Sequence, residues 1–138
     1  MKRGTYVYIE QILREFPDSD KYINQRKEEL RYPLEREADE NIGGGRSNTV
    51  GSPTERAAIS IADDKRLHKI IENKNAICSV LEDSSDLVNE IIHEFYFKKP
   101  RTKTWQGIAM EIPISERHCR RLRNMFFEQI ADELGLPK

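Results

Sequence analysis

Between Pro53 and Pro100 the chain carries neither glycine nor proline. A stretch of that length without a backbone breaker offers no ready place for the tight turns of a β-sheet, so it favours helices. Its start is marked as well. Ser52-Pro53-Thr54-Glu55 forms a capping box, with Ser52 as N-cap, Pro53 at the first helical position and Glu55 placed to reach back to the Ser52 N–H. The helix that begins there is expected to run to about Glu82, about 45 Å at about 1.5 Å per residue. Its apolar stripe, Ala57, Ile61, Leu67, Ile71, Cys78 and Leu81, is interrupted by Asp64 and Lys74, a weak coiled-coil pattern that can serve a dimer interface or a ring wall.

The rest of the chain reads as helical too, and the fold class expected is all-α. Tyr6, Ile9, Leu13 and Phe16 recur at helical spacing before Pro17 ends the first segment. Asp18 or Asp20 caps a second helix through Leu30, so residues 1–32 read as an N-terminal helical pair. Tyr32-Pro33 disfavours helix, and Gly43-Gly44-Gly45 with Ser47, Asn48, Gly51 and Ser52 makes 33–52 a flexible, Gly-rich linker. Residues 53–83 are the long helix, a segment suited to oligomerisation, and 84–138 form a C-terminal three-helix unit. With 37% hydrophobic against 34% charged residues, these helices must be amphipathic around a thin core.

That last unit has the pattern of a helix-turn-helix. Ser84 or Ser85 caps a helix carrying Leu87, Val88, Ile91, Ile92, Phe95 and Tyr96. Thr104 caps Trp105–Glu111, Ile112-Pro113-Ile114 makes a tight connection, and Ser115 caps a final helix ending at Leu134-Gly135. Ile108, Ala109, Ile112, Ile114, Cys119 and Leu122 fall where two helices crossing through a very short turn pack inward. Glu116, Arg117, Arg120, Arg121 and Asn124 fall on the outward face. The charge is segregated with it: eight cations against two acids give residues 98–124 a net +6, within a chain whose net charge is -1. Such a basic ridge is the footprint of a phosphate-neutralising, double-stranded-DNA-binding surface.

Other chemistry is not signalled. Cys78 and Cys119 have no metal or disulfide spacing, His68 and His93 lack a second ligand, and no cofactor or metal is expected. Asp63 and Asp64 are adjacent, about 100° apart on a helix, so an enzyme is not expected. No apolar run approaches a signal peptide or membrane span, which makes the expected location cytoplasmic, with no membrane partner. The Gly43–Ser47 loop lacks the GK[ST] ending and preceding strand of a P-loop.

Glu40-Asn41-Ile42-Gly43-Gly44-Gly45-Arg46-Ser47, the capped helix after it, and Thr104-Trp105 through Leu134-Gly135 resemble the RinA/ArpU type of bacteriophage transcriptional regulators, over about residues 33–136. The layout of 84–134 is similar to the DNA-binding C-terminal region of sigma factors, with Pro113 where many such units place a glycine. The resemblance implies an activator of late phage genes, those for packaging and morphogenesis.

If the last helix enters the major groove, its N-terminal half reads bases. Arg117 and Arg121 suit guanine O6/N7, Glu116 can accept from cytosine N4, and Asn124 completes the base-reading set. Lys103, Thr104, Ser115, Arg120 and Arg123 are assigned to phosphates. The acidic remainder would contact host RNA polymerase or a second protomer, as a dimer, and deleting residues 1–32 would spare DNA binding. The rival reading is a small terminase-type packaging protein, a closed ring carrying the same unit.

Overall fold

The computed structural model describes residues 1–40 and 53–138, and among these it is helical with no strand. In chain order the helices are α1 (Arg3–Glu15), a 3₁₀ turn (Phe16–Asp18), α2 (Ser19–Glu40), α3 (Pro53–Asp63), α4 (Lys65–Asp83) and α5 (Asp86–Ile92). A π-helical turn (His93–Phe97), α6 (Trp105–Glu111) and α7 (Glu116–Leu134) follow. The all-α expectation is met. The polar caps account for several starts: Ser85 Oγ accepts from Val88 N, Thr104 Oγ1 from Gly107 N and Ser115 Oγ from His118 N. At the other end Gly135 takes the left-handed conformation, φ 66°, and Leu136 N donates to Ala131 O at 2.9 Å, which closes α7.

Two boundaries differ from the sequence reading. Helix α2 continues past Leu30 and through Tyr32-Pro33 to Glu40, so the first part of the expected 33–52 linker has helical backbone. Leu34-Glu35-Arg36-Glu37-Ala38 is a run of strong helix formers, and it outweighs the local cost of Pro33. The remainder of that linker, with the Gly43–Ser47 loop, Arg46 and the Ser52 cap, lies outside the described residues. The single long helix 53–83 is instead two, parted at Asp64. The Asp64 carboxylate accepts from Leu67 N at 2.7 Å, the contact of an N-cap, and therefore starts α4 rather than continuing α3.

The chain divides into two compact units, Ser19–Ile71 and Met1–Asp18 with Glu72–Lys138. In the first, α2 packs on α3, and Ala57 and Leu67 are buried. Arg26 grips Asp64 with two hydrogen bonds, Nε at 3.0 Å and a terminal nitrogen at 2.8 Å. This guanidinium and the Leu67 N–H together hold the Asp64 carboxyl down at about 2.

The second unit holds the larger core. Ile9, Ile12 and Leu13 of α1 are buried with Ala76, Ile77 and Val80 of α4, Ile91 and Ile92 of α5, Phe95 and Tyr96 of the π turn, Ile108 of α6, and Phe126, Phe127, Ile130 and Ala131 of α7. The grouping of residues 1–32 as a separate helical pair is thereby corrected. Helix α1 covers part of α7, its Tyr6 ring lying 5.1 Å from that of Phe127, and Thr5 Oγ1 donates to Pro137 O at 2.5 Å. Its apolar stripe was visible in the sequence, but a stripe does not name the helix that buries it. Ile112 N–H donates to Ile108 O at 2.9 Å, and Ile114 N–H to Ile112 O at 2.6 Å. The latter closes a three-residue turn centred on Pro113, whose ring-fixed φ, about −65°, matches an inverse γ-turn and explains why proline serves there.

Two outcomes are expected. Deleting residues 1–16 exposes Phe127 and the other side chains under α1, so the shortened chain should lose cooperative thermal unfolding; an unchanged melting curve would show α1 to be dispensable. A carboxylate pKa lowered by folding gives stability that is complete above the unfolded value, about 3.9, and is lost as pH falls toward about 2. Asp64→Asn keeps a cap but loses the charge, so its stability deficit relative to the parent should be largest near about pH 6 and should close between about pH 4 and 2 in urea titrations. A deficit independent of pH would sink this assignment.

Candidate nucleic-acid interface

Helix α7 is divided lengthwise. Cys119, Phe126, Phe127 and Ile130 are at most 1% exposed, and burial pushes the Cys119 thiol up, so it is an unreactive core group. Ile108, Ala109, Ile112, Ile114 and Leu122 lie in that core or pack against it, as the two-helix pattern requires. The opposite face carries Arg117, Arg120, Arg121 and Asn124, all exposed, and Glu116, half-buried. With Ser115 these five line an open surface depression of about 780 Å³. The structure therefore brings together the whole predicted base-reading set, Glu116, Arg117, Arg121 and Asn124, with Ser115 and Arg120 of the predicted phosphate set.

Their electrostatic states differ. Glu116 and Arg120 form an ion pair at 2.8 Å one turn apart, an i,i+4 pairing that was legible in the sequence. Among the described residues Arg117 and Arg121 have no such partner, so their guanidinium groups face solvent with all donors available. Ser115 Oγ accepts from the α7 cap through one lone pair, and its hydroxyl hydrogen remains to donate. Thr104 is in the same state at the start of α6. Asn124 Oδ1 accepts from Arg123 Nε at 2.8 Å, which leaves its amide NH2 to donate.

Three members of the basic stretch are paired with carboxylates. Lys103 is half-buried between Glu94, at 3.2 Å, and Glu111; Glu111 foremost raises its ammonium's pKa, and Lys103 in turn lowers that of Glu94. Lys98 pairs with Glu94 at 3.6 Å and Lys99 with Asp18 at 2.8 Å. The net +6 of residues 98–124 thus overstates the free positive charge, because carboxylates outside that window neutralise part of it. Arg101 is exposed, its guanidinium 4.5 Å from the Phe95 ring centre.

Arg123 has a different setting from the phosphate role assigned to it. Its guanidinium donates to the hydroxyls of Tyr6 and Tyr96 and lies 5.1 Å from the Tyr6 ring, 5.0 Å from Trp105 and 5.5 Å from Phe127. Trp105 itself stacks on Phe95 at 3.9 Å. Burial pushes the Tyr96 phenol up, against the opposing pull of Arg123, so it stays neutral and donates to Glu10 at 3.1 Å. Sequence reasoning missed this cage, although a signal was present. Arg123 stands four residues after Cys119 and four before Phe127, on the inward side of α7 rather than on its outer ridge.

Residues 8–132 match the protein family described as Protein of unknown function (DUF722). The chain is also 31% identical over 135 residues to the "Transcriptional activator rinA" of Staphylococcus phage phi11, covering 98% of this chain and 94% of the relative. No solved structure matches. Among the described residues no helix is long and apolar enough to cross a membrane, and no cluster of His, Cys, Asp and Glu is placed to hold a metal.

The two kinds of arginine should separate cleanly in stability measurements. Arg123→Ala leaves two phenols and three ring faces without their cation, and is expected to cost about 2 kcal/mol, read as a drop in urea midpoint. Arg117→Ala and Arg121→Ala break no internal contact and should change stability by less than about 0.5 kcal/mol. Equal losses at all three positions would contradict this division of α7.

Proposed function

Because the chain belongs to the DUF722 family and aligns along nearly its whole length with a phage transcriptional activator, we propose that it is a sequence-specific, DNA-binding transcriptional regulator of a phage or prophage. It is read as an activator of late, packaging and morphogenesis genes, acting in the cytoplasm of the bacterial host, without catalytic activity or cofactor. The observation that carries the DNA-binding part is the pair Arg117 and Arg121. They stand one turn apart, free of carboxylates among the described residues, on the exposed face of a helix whose other face is core.

In this reading α6 and α7 are a sigma-factor-like helix-turn-helix, with α6 against the backbone and the N-terminal half of α7 in the major groove of double-stranded DNA. Arg117 and Arg121 lie about 6 Å apart along the axis and reach neighbouring base steps, each able to fork onto guanine O6 and N7. Asn124 offers its amide one further turn along. Glu116 reaches a cytosine N4 once Arg120 exchanges its carboxylate partner for a phosphate, a swap that keeps both groups paired throughout. Ser115 and Thr104 donate hydroxyl hydrogens to phosphates while capping their helices. Lys103 and Arg123 serve here as internal supports of that surface.

Host RNA polymerase and a second protomer are the protein partners proposed. The division of labour originally suggested by the sequence, with residues 1–32 dispensable for DNA binding, does not fit a core that includes Ile9, Ile12 and Leu13. Contacts for activation are therefore better sought on Ser19–Ile71, the other compact unit.

The test is fluorescence anisotropy on a site selected from a random duplex library, with salt titrated. A regulator that reads bases should bind its site about a thousandfold tighter than random duplex, with a steep salt slope. Arg117→Ala and Arg121→Ala should each lose about tenfold or more on the selected site, and less on random duplex. Equal affinity for every sequence would remove the base-reading roles, and a closed ring in solution would favour the small-terminase reading.

A further inference from the structure

A second group of free cations lies beside the α7 ridge, at the start of α1. Lys2 is the N-cap of α1 and Arg3 its first residue; both are exposed and, among the described residues, neither has a carboxylate partner. Three and four residues on stands Tyr6, on the same helical face. Tyr6 is docked on Phe127 and accepts a hydrogen bond from Arg123, so the first turn of α1 is fixed against the middle of α7. Met1, Asn124 and Glu128 share the walls of one hollow of about 300 Å³. Asn124 also borders the depression that Arg117 and Arg121 line.

The surface is therefore continuous. Arg117, Arg121, Asn124 and Glu128 follow one stripe of α7, at spacings of four, three and four residues, and the start of α1 flanks its later end. From Arg121 to Glu128 the helix advances about 10 Å, close to the width of a major groove, about 12 Å. A helix with Arg117 and Arg121 on the groove floor thus leaves the groove near Glu128, over the phosphates of its wall. A carboxylate there repels phosphate, and cations beside it are what would make that crossing favourable.

We propose that Lys2 and Arg3 are phosphate contacts, extending the DNA interface from α7 onto α1 and gripping the backbone where α7 leaves the groove. The inference rests on the reading of α7 as the groove-entering helix. It gives α1 two roles, as core partner of α7 and as a carrier of backbone contacts, and the two are separable because the cations are exposed while Ile9 and Leu13 are buried.

The experiment compares salt-titrated duplex binding of the full chain with Lys2→Ala/Arg3→Ala. A charge-matched control, Lys21→Ala/Lys65→Ala, removes two exposed cations from the other unit. Loss of two phosphate contacts should flatten the plot of log K against log salt by about 1.8 and weaken binding roughly tenfold or more, by the same factor on selected and random duplex. The control should do neither. Lys2→Gln/Arg3→Gln, with circular dichroism on every variant, guards against a fraying of α1. An equal effect from the control overturns the proposal as a net-charge effect. An unchanged slope in both double variants, with binding still dependent on Arg117 and Arg121, overturns it and leaves the α7 reading standing. Failure of the parent protein to bind any duplex overturns both.

Discussion

The Arg123 guanidinium is the point at which the larger unit is joined. It touches side chains from α1, the π turn, α6 and α7 at once, donating to two phenols while three rings lie within about 5.5 Å of it. A half-buried cation is costly unless its donors are used, and a planar guanidinium is the group that can hydrogen bond in its plane and stack on its faces together. Lysine has no such plane. The aromatic residues gain as well, since Tyr6 and Tyr96 would otherwise place hydroxyls against a core without full satisfaction. Because Asn124 hangs from the same guanidinium, the cage that fixes α1 also orients a side chain of the outer ridge.

From this follows the way α7 works as a two-sided element. One side must satisfy the packing of Phe126, Phe127 and Ile130, and that leaves the other free to carry unpaired charge. Rigidity on the buried side is what allows Arg117 and Arg121 to be presented without internal partners. A surface arginine tied to a carboxylate, as Arg120 is to Glu116, has to break that pair before its guanidinium can meet another acceptor.

Much of this was legible from residue spacing, and the limits fall where the physics is not local. Ser85, Thr104, Ser115 and Gly135 are caps whose partners lie within a turn or so, and each acts as the sequence suggests. The inward set from Ile108 to Leu122 follows from helical period and a short connection. What the period cannot supply is the partner of an apolar face. The α1 stripe finds α7 across more than a hundred positions, as in Tyr6 against Phe127, and the π turn across about eighty, as in Phe16 against Phe97. The break at Asp64 escaped for a related reason: an aspartate inside a helical pattern reads as an interruption until Leu67 N and Arg26 are seen to converge on it.

Charge counting shows the same boundary between local and distant. The eight cations of residues 98–124 look like one field, yet Lys98, Lys99 and Lys103 are met by Glu94 and Asp18 from outside that window, and Arg123 turns inward. What remains free is narrower and better placed than the sum implied. The consequence bears on specificity. A broad positive field grips any duplex, because phosphate contacts are alike on every sequence, whereas a few exposed guanidinium groups on a rigid helix must find particular acceptors. Under the proposed DNA-binding reading, neutralising the flanks with internal ion pairs would lower the sequence-independent share of binding energy, and so raise the weight of Arg117 and Arg121 in choosing a site.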